Sequence, residues 1–157
     1  MTLQGIRDCI CGYFNSQEEF EGCPFIQVPT NQPAPVGNYM AVGVEGVEQQ
    51  GNRMTPPPGE NGEYGFFDVA TLYFTEVEGD GDNLRHALQH LQCPEFIAAA
   101  KTAGFTVWDP SAIIRLDSYD GDFFIRQLRA SFRVNFGESR KAALPKIDNV
   151  DFTLTGE

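Results

Sequence analysis

The two histidines of the chain, His86 and His90, are the residues whose spacing most resembles a metal site. Residues four apart share one face of an α-helix, so both rings could reach the same ion. The intervening residues are Ala-Leu-Gln and lack the glutamate that a zinc-peptidase helix needs, and no third ligand is evident. We therefore interpret both histidines as solvated residues on a helix surface and expect no metal site.

Two aspartate-rich segments, residues 80–83 and 117–122, offer oxygen atoms that calcium could use. Neither segment continues into the spacing of an EF-hand loop, which places a glutamate at its twelfth position. Turns use the same residue types for backbone reasons. Turns are the favoured interpretation, and a calcium-dependent binding module stays as an alternative of a different class.

The four cysteines (Cys9, Cys11, Cys23 and Cys93) form no CxxC pair and have no disulfide-framework spacing, so we expect free, reduced thiols and no cofactor. The chain also lacks a G-x-S-x-G elbow, a phosphate-binding loop and a dinucleotide fingerprint. A hydrolase that uses clustered carboxylates stays possible, but no catalytic residue is predicted and we do not expect an enzyme.

The first half of the chain predicts a helix, a connection and two paired strands. Apolar positions at helical spacing predict a helix over residues 3–14, with Thr2 as its N-cap. Prolines and glycines in residues 15–38 indicate an extended connection with at most a short strand at 25–28. Branched and aromatic residues predict neighbouring strands at 39–50 and 66–77, and the intervening segment 51–65 is expected to be a mobile loop.

The second half predicts two helices followed by strands. Asp82 is the expected cap of a helix bearing Leu84, Leu88 and Leu91, and a second helix runs from Pro94 to a stop at Gly104. Strand-like composition marks residues 105–108, 113–116, 122–136 and 150–154. In the long run 122–136, residues 124, 128, 130, 132, 134 and 136 share one face, and arginines and other polar residues share the other.

This order of elements predicts a single α+β domain over residues 1–157. A mainly antiparallel sheet is expected, covered on one face by the N-terminal helix and the central helix pair. The longest apolar stretches are far shorter than the ~20 residues of a membrane helix, and the first ten residues lack the pattern of a signal peptide. We therefore expect a soluble protein without an export signal or a membrane partner.

Several segments together resemble the neck terminator family of tailed bacteriophages, which is similar in turn to tail terminator proteins. These segments are PFIQV at 24–28, YMAVGVE at 39–45, FDVATLYF at 67–74, a helix pair at 84–104 and QLRASFRVNF at 127–136. The resemblance extends from about residue 23 to 156 and lies in segment order and residue character. The proline-rich segment 51–65 is longer than the family pattern suggests.

The resemblance implies a structural protein of the virion, assembled in the host cytoplasm. Such a subunit forms a ring, commonly a hexamer, that ends the tail tube and contacts tube and neck or connector proteins. DNA would pass through the channel without specific binding, which suits a chain with a net charge of −11. Alternatives at the same junction are a head-completion, tail-completion or tube protein.

Charge is distributed unevenly along the chain, which suggests how copies could recognise each other. Residues 45–82 hold nine acids against one base, whereas residues 101–146 hold eight bases against five acids. A ring contact joins two different patches, so separate acidic and basic regions can serve it. The predicted contacts are Arg129 and Arg133 on one copy with Glu45, Asp68 or Glu76 on the next; pairing of the arginines within their own sheet is the alternative.

The segment 51–65 is the second predicted contact, with a partner ring. Its prolines lower the entropy lost on docking, and its glycines prevent independent structure. The candidate docking residues are Arg53, Pro56, Pro57, Pro58 and Tyr64.

Overall fold

The computed structural model of the chain describes residues 1–50 and 63–141. Its helices are α1 (Leu3–Asn15), α2 (Asp82–His90) and α3 (Pro94–Ala103), with a short 3-10 helix at Glu18–Phe20. Its strands are β1 (Phe25–Gln27), β2 (Tyr39–Gln50), β3 (Glu63–Val77), β4 (Phe105–Trp108), β5 (Ile114–Arg115), β6 (Ser118–Asp120), β7 (Phe123–Ile125) and β8 (Gln127–Lys141).

The main sheet has the order β1-β2-β3-β8-β4, and β5 also pairs with β8. Its pairs are antiparallel except β1 with β2, which run parallel. The predicted pairing of β2 with β3 is confirmed. Strand β3 begins at Glu63, so it includes three residues that the sequence assigned to the loop. The rest of that loop, and the strand predicted at 150–154, lie outside the described residues.

Helix α1 begins and packs as its sequence predicts. The Thr2 hydroxyl accepts a hydrogen bond from the Gly5 N–H at 3.1 Å, which satisfies one of the free donors of the first turn. Ile6, Ile10 and Phe14 are fully buried on the side that meets the sheet. The amphipathic pattern therefore reports the contact face correctly.

The central helix pair is present, with one correction at its start. The N-cap of α2 is Gly81, at φ +98°, and the predicted cap Asp82 is the first helical residue. Pro94 occupies the first turn of α3, and Gly104 ends that helix at φ +91°, both as predicted. These punctuation residues are reliable because they act through local backbone geometry.

The core lies between the helices and one face of the sheet, so the α+β class is confirmed. The helices contribute Phe14, Leu84 and Phe96, and the sheet contributes residues of one alternation phase, including Phe74 and Phe132. The rings of Phe74 and Phe132 lie 4.7 Å apart across neighbouring strands. The alternation predicted for residues 128–136 is confirmed in β8, because Ala130, Phe132, Val134 and Phe136 are buried.

The long strand predicted from residue 122 to 136 is wrong in its first part. Strand β8 begins at Gln127, and Phe123–Ile125 belongs to β7, which pairs with β6 away from the main sheet. Strand β3 ends at Val77, opposite Gln127, so the residues before Gln127 have no β3 partner and no core beneath them. Phe124, predicted to face the core, is consequently exposed.

Candidate functional site

An aromatic hairpin projects beyond the end of the main sheet. The pairs Ile114 with Arg129 and Arg115 with Leu128 continue, in one register, into the pairs of β6 with β7. We call residues 116–126 the arm. Its strands extend about five residues past the sheet, or roughly 16 Å. The arm turns at Gly121, whose φ of +62° fits the first position of a two-residue hairpin loop.

The base of the arm is fixed by hydrogen bonds, and its outer part exposes aromatic rings. The Leu116 N–H donates to the Gln127 carbonyl at 2.8 Å, and the Gln127 N–H donates to the Asp117 carboxylate at 3.2 Å. Tyr119 is 76% exposed and Phe123 is 78% exposed. The Tyr119 ring packs edge to face on Phe124 of the opposite strand, with centroids 5.4 Å apart, but no second layer of the described chain covers the hairpin. The arm is therefore the candidate contact surface.

An apolar pocket lies at the opposite end of β8. Its volume is about 370 Å³, and its wall includes Phe67, Lys101, Gly104, Phe105, Phe136 and Gly137. Phe67 is 68% exposed, so this end of the sheet also presents an aromatic ring to solvent. Nine residue steps of β8, roughly 30 Å, separate Gln127 beside the arm from Phe136 in the pocket.

The two arginines predicted at the subunit contact lie on the sheet face opposite the helices, as expected, but both have partners in their own chain. The Arg129 guanidinium lies 4.1 Å from the centre of the Tyr73 ring and donates to the Thr75 hydroxyl at 2.9 Å. The Arg133 guanidinium lies 5.3 Å from the centre of the Trp108 ring. These contacts agree with the alternative of pairing within the sheet, and a contact with a neighbouring copy stays a prediction.

The predicted acidic partners have different positions. Glu45 is exposed on β2, and Asp68 is half-buried on β3. Glu76 is 0% exposed, so its predicted contact with a neighbouring copy is wrong: the carboxylate points into the subunit's own core. Of the candidate docking residues, Arg53, Pro56, Pro57 and Pro58 lie outside the described residues, as does the side chain of Tyr64, whose backbone belongs to β3.

The buried Glu76 carboxylate closes the N-terminus of α2. It accepts hydrogen bonds from the Leu84 N–H at 3.1 Å and from the side-chain amides of Asn83 at 3.1 Å and Asn38 at 3.3 Å. A side chain at Gly79 would overlap it. Negative charge at a helix N-terminus is favourable, so a glutamate from β3 supplies the cap that Gly81 lacks. Sequence reasoning missed this role, although Glu76 shares the inward phase of Leu72 and Phe74.

The two histidines share a carboxylate, which corrects their interpretation as purely solvated residues. His86 Nδ1 and His90 Nε2 each lie 2.8 Å from a different oxygen of Glu19, in the 3-10 helix. The pair therefore joins α2 to the connection before β1. Within residues 1–50 and 63–141, no group of three histidine, cysteine or acidic side chains is arranged to hold a metal ion.

The aspartate-rich segments serve the turns. The Asp80 carboxylate accepts from the Asp82 N–H at 3.0 Å, and Asp117 pairs with Arg115 at the base of the arm. The four cysteines are free. Burial raises the pKa of Cys11 to about 12, and burial together with nearby Glu76 raises the pKa of Cys23 to about 12. Both thiols are therefore poor nucleophiles in the folded chain.

Comparison with known proteins gives no family. No family model matches the chain, and no curated protein matches it. One solved structure, whose name states no function, aligns over 93% of this chain and 99% of its own length, with 14% identity and a TM-score of 0.36. That similarity is too low to carry over a fold or a function. Among the described helices, none has the length and apolar character needed to cross a membrane.

Proposed function

We propose that this chain is a ring-forming structural subunit at the head-tail junction of a tailed bacteriophage, a terminator that ends the tail tube and connects it to the neck. The order of its segments resembles that family along most of the chain. The observation that carries the proposal is the arm, which holds Tyr119 and Phe123 in solvent beyond the sheet. The proposal assigns the chain no catalytic step.

The arm supports an assembly function because exposed aromatic side chains are costly on a protein that acts alone. Large exposed apolar patches on soluble domains commonly mark contact surfaces. Aromatic residues are also enriched at the centres of protein interfaces. The strands that carry these rings are already paired and hydrogen-bonded at their base, which lowers the entropy lost when they meet a partner.

Charge supports a channel that DNA crosses without being held. The net charge of −11 opposes binding of a phosphate backbone, whose affinity for proteins comes mainly from lysine and arginine. Arg129 and Arg133 are engaged with rings of their own sheet. A ring of such subunits would carry a large negative charge, so its channel wall would bind passing DNA only weakly.

The test is the assembly state of the purified chain, measured by native mass spectrometry and electron microscopy over a range of concentrations. A closed ring of fixed copy number is the expected result. A parallel sample with Ile97, an exposed apolar residue of α3, changed to Ser controls for removal of surface apolar area elsewhere. A chain that stays monomeric under every condition, or that forms open filaments alone, contradicts the terminator function.

A further inference from the structure

We infer that the arm of one copy inserts one exposed aromatic ring into the apolar pocket at the far end of the sheet of the next copy. The inference deepens the proposed function, since it names the contact that would join neighbouring subunits of the ring. It commits to a second copy of this chain as the occupant of the pocket.

The arm cannot reach the pocket of its own chain. The pocket lies beside β8, roughly 30 Å along that strand from the start of the arm. The arm also projects away from the pocket, because it continues the ladder of β5 and β8 beyond the point where β3 ends. Any contact between the two features therefore joins different molecules.

Size and chemistry match between the two surfaces. A volume of about 370 Å³ lies within the range of pockets that enclose small organic molecules, so it can receive an aromatic side chain. Aromatic rings in the wall, including Phe67, can pack edge to face with Tyr119 or Phe123. The contact would remove exposed aromatic surface from water on both copies at once.

Charge also matches at the rim. The tip of the arm carries Asp120 and Asp122, both exposed, and the charged side chain in the pocket wall is the exposed Lys101. The two aspartates beside an inserted ring would lie near Lys101 at the pocket. This attraction favours an arm-to-pocket contact over an arm-to-arm contact, in which the aspartates of two copies would repel each other.

The positions of the arm and the pocket favour a head-to-tail assembly. An arm and a pocket on opposite ends of one chain make a head-to-tail contact, in which each copy uses two different surfaces. Such a contact repeats until it closes into a ring or grows as a filament. A reciprocal two-fold dimer, in which each arm fills the other copy's pocket, is the alternative closed form, and native mass distinguishes it from a ring or a filament.

The experiment uses two full-length variants with exposed substitutions. The arm variant carries Tyr119→Ser and Phe123→Ser, and the pocket variant carries Phe67→Glu and Lys101→Glu. Circular dichroism and thermal melting verify that each variant folds, and Ile97→Ser is the matched control on α3. Each variant alone should self-associate at least about tenfold more weakly than the parent chain, because it lacks one half of the contact.

Mixing the two variants gives the decisive result. The arm variant keeps an intact pocket and the pocket variant keeps an intact arm, so an equimolar mixture should form a 1:1 complex that stops at two chains. Analytical ultracentrifugation and native mass spectrometry measure that complex. Its absence, together with monomeric variants, overturns the inference, as does an arm variant that assembles like the parent.

The outcome separates this inference from the proposed function. Rings that form normally from both variants would refute the arm-to-pocket contact and leave the terminator function standing. A 1:1 mixed complex from a parent chain that grows only into filaments would support the contact and contradict the terminator.

Discussion

Replacing Glu76 tests whether a buried carboxylate, contributed by a strand, holds the start of α2. The substitution Glu76→Ala removes an acceptor from the Leu84 N–H and from two asparagine amides. A buried donor left without a partner costs about 1–3 kcal/mol, and loss of a helix cap costs about 1 kcal/mol. These contributions overlap, so we expect a loss of about 3 kcal/mol in the free energy of unfolding.

That loss is large beside the total stability of a typical domain, which is about 5–15 kcal/mol. For a chain of this length it corresponds to a fall in melting temperature of roughly 6–12 °C. The isosteric change Glu76→Gln keeps one acceptor oxygen but replaces the other with an amide N–H group, which would face the donors that now bind the carboxylate. It should cost less, about 1–2 kcal/mol.

Urea denaturation followed by circular dichroism measures these differences, with Glu48→Gln as the control. Glu48 is an exposed acid on β2, so its change removes the same charge without a buried partner and should shift stability by less than about 0.5 kcal/mol. Equal stability of the Glu76 variants and the control would refute the capping role.

Three further predictions follow from the sheet and the thiols. Gly43→Val should lower stability by about 1–3 kcal/mol in urea denaturation, because any side chain there overlaps the tyrosine ring beside it; an unchanged midpoint would contradict that packing. Cys11 and Cys23 should resist alkylation at pH 8 until the chain unfolds, and rapid labelling of the native chain would argue against their burial. The free energy of unfolding should also fall as pH rises from 9.0 toward about 12, because these thiols lose their protons at lower pH in the unfolded chain than in the folded one. Arg129→Glu with Arg133→Glu should give a folded subunit that fails to close rings, as measured by native mass; rings of unchanged mass and melting temperature would show that these arginines are not the subunit contact.

The sequence by itself determined the class of the fold and most of its helix ends. Thr2, Pro94 and Gly104 act through the few backbone groups around them, so their effects can be inferred without knowing what packs nearby. The alternation of β8 likewise identified its buried face, because side chains on a strand point to opposite sides in turn. The same alternation places Glu76 on the buried face, but its acidic side chain led to the prediction that it lies on the surface.

Only the tertiary structure decided which strands meet and where the pairing stops. Pairing partners are distant in sequence: β8 has β3 on one side and both β4 and β5 on the other, and β1 joins β2 in parallel. Strand β3 ends at Val77, opposite Gln127, so the apolar run Phe123–Ile125 just before Gln127 has no core to cover it. A segment predicted to be a buried strand is therefore part of the exposed arm. A local pattern records which face of a segment is apolar, whereas its burial depends on whether another element is present to cover that face.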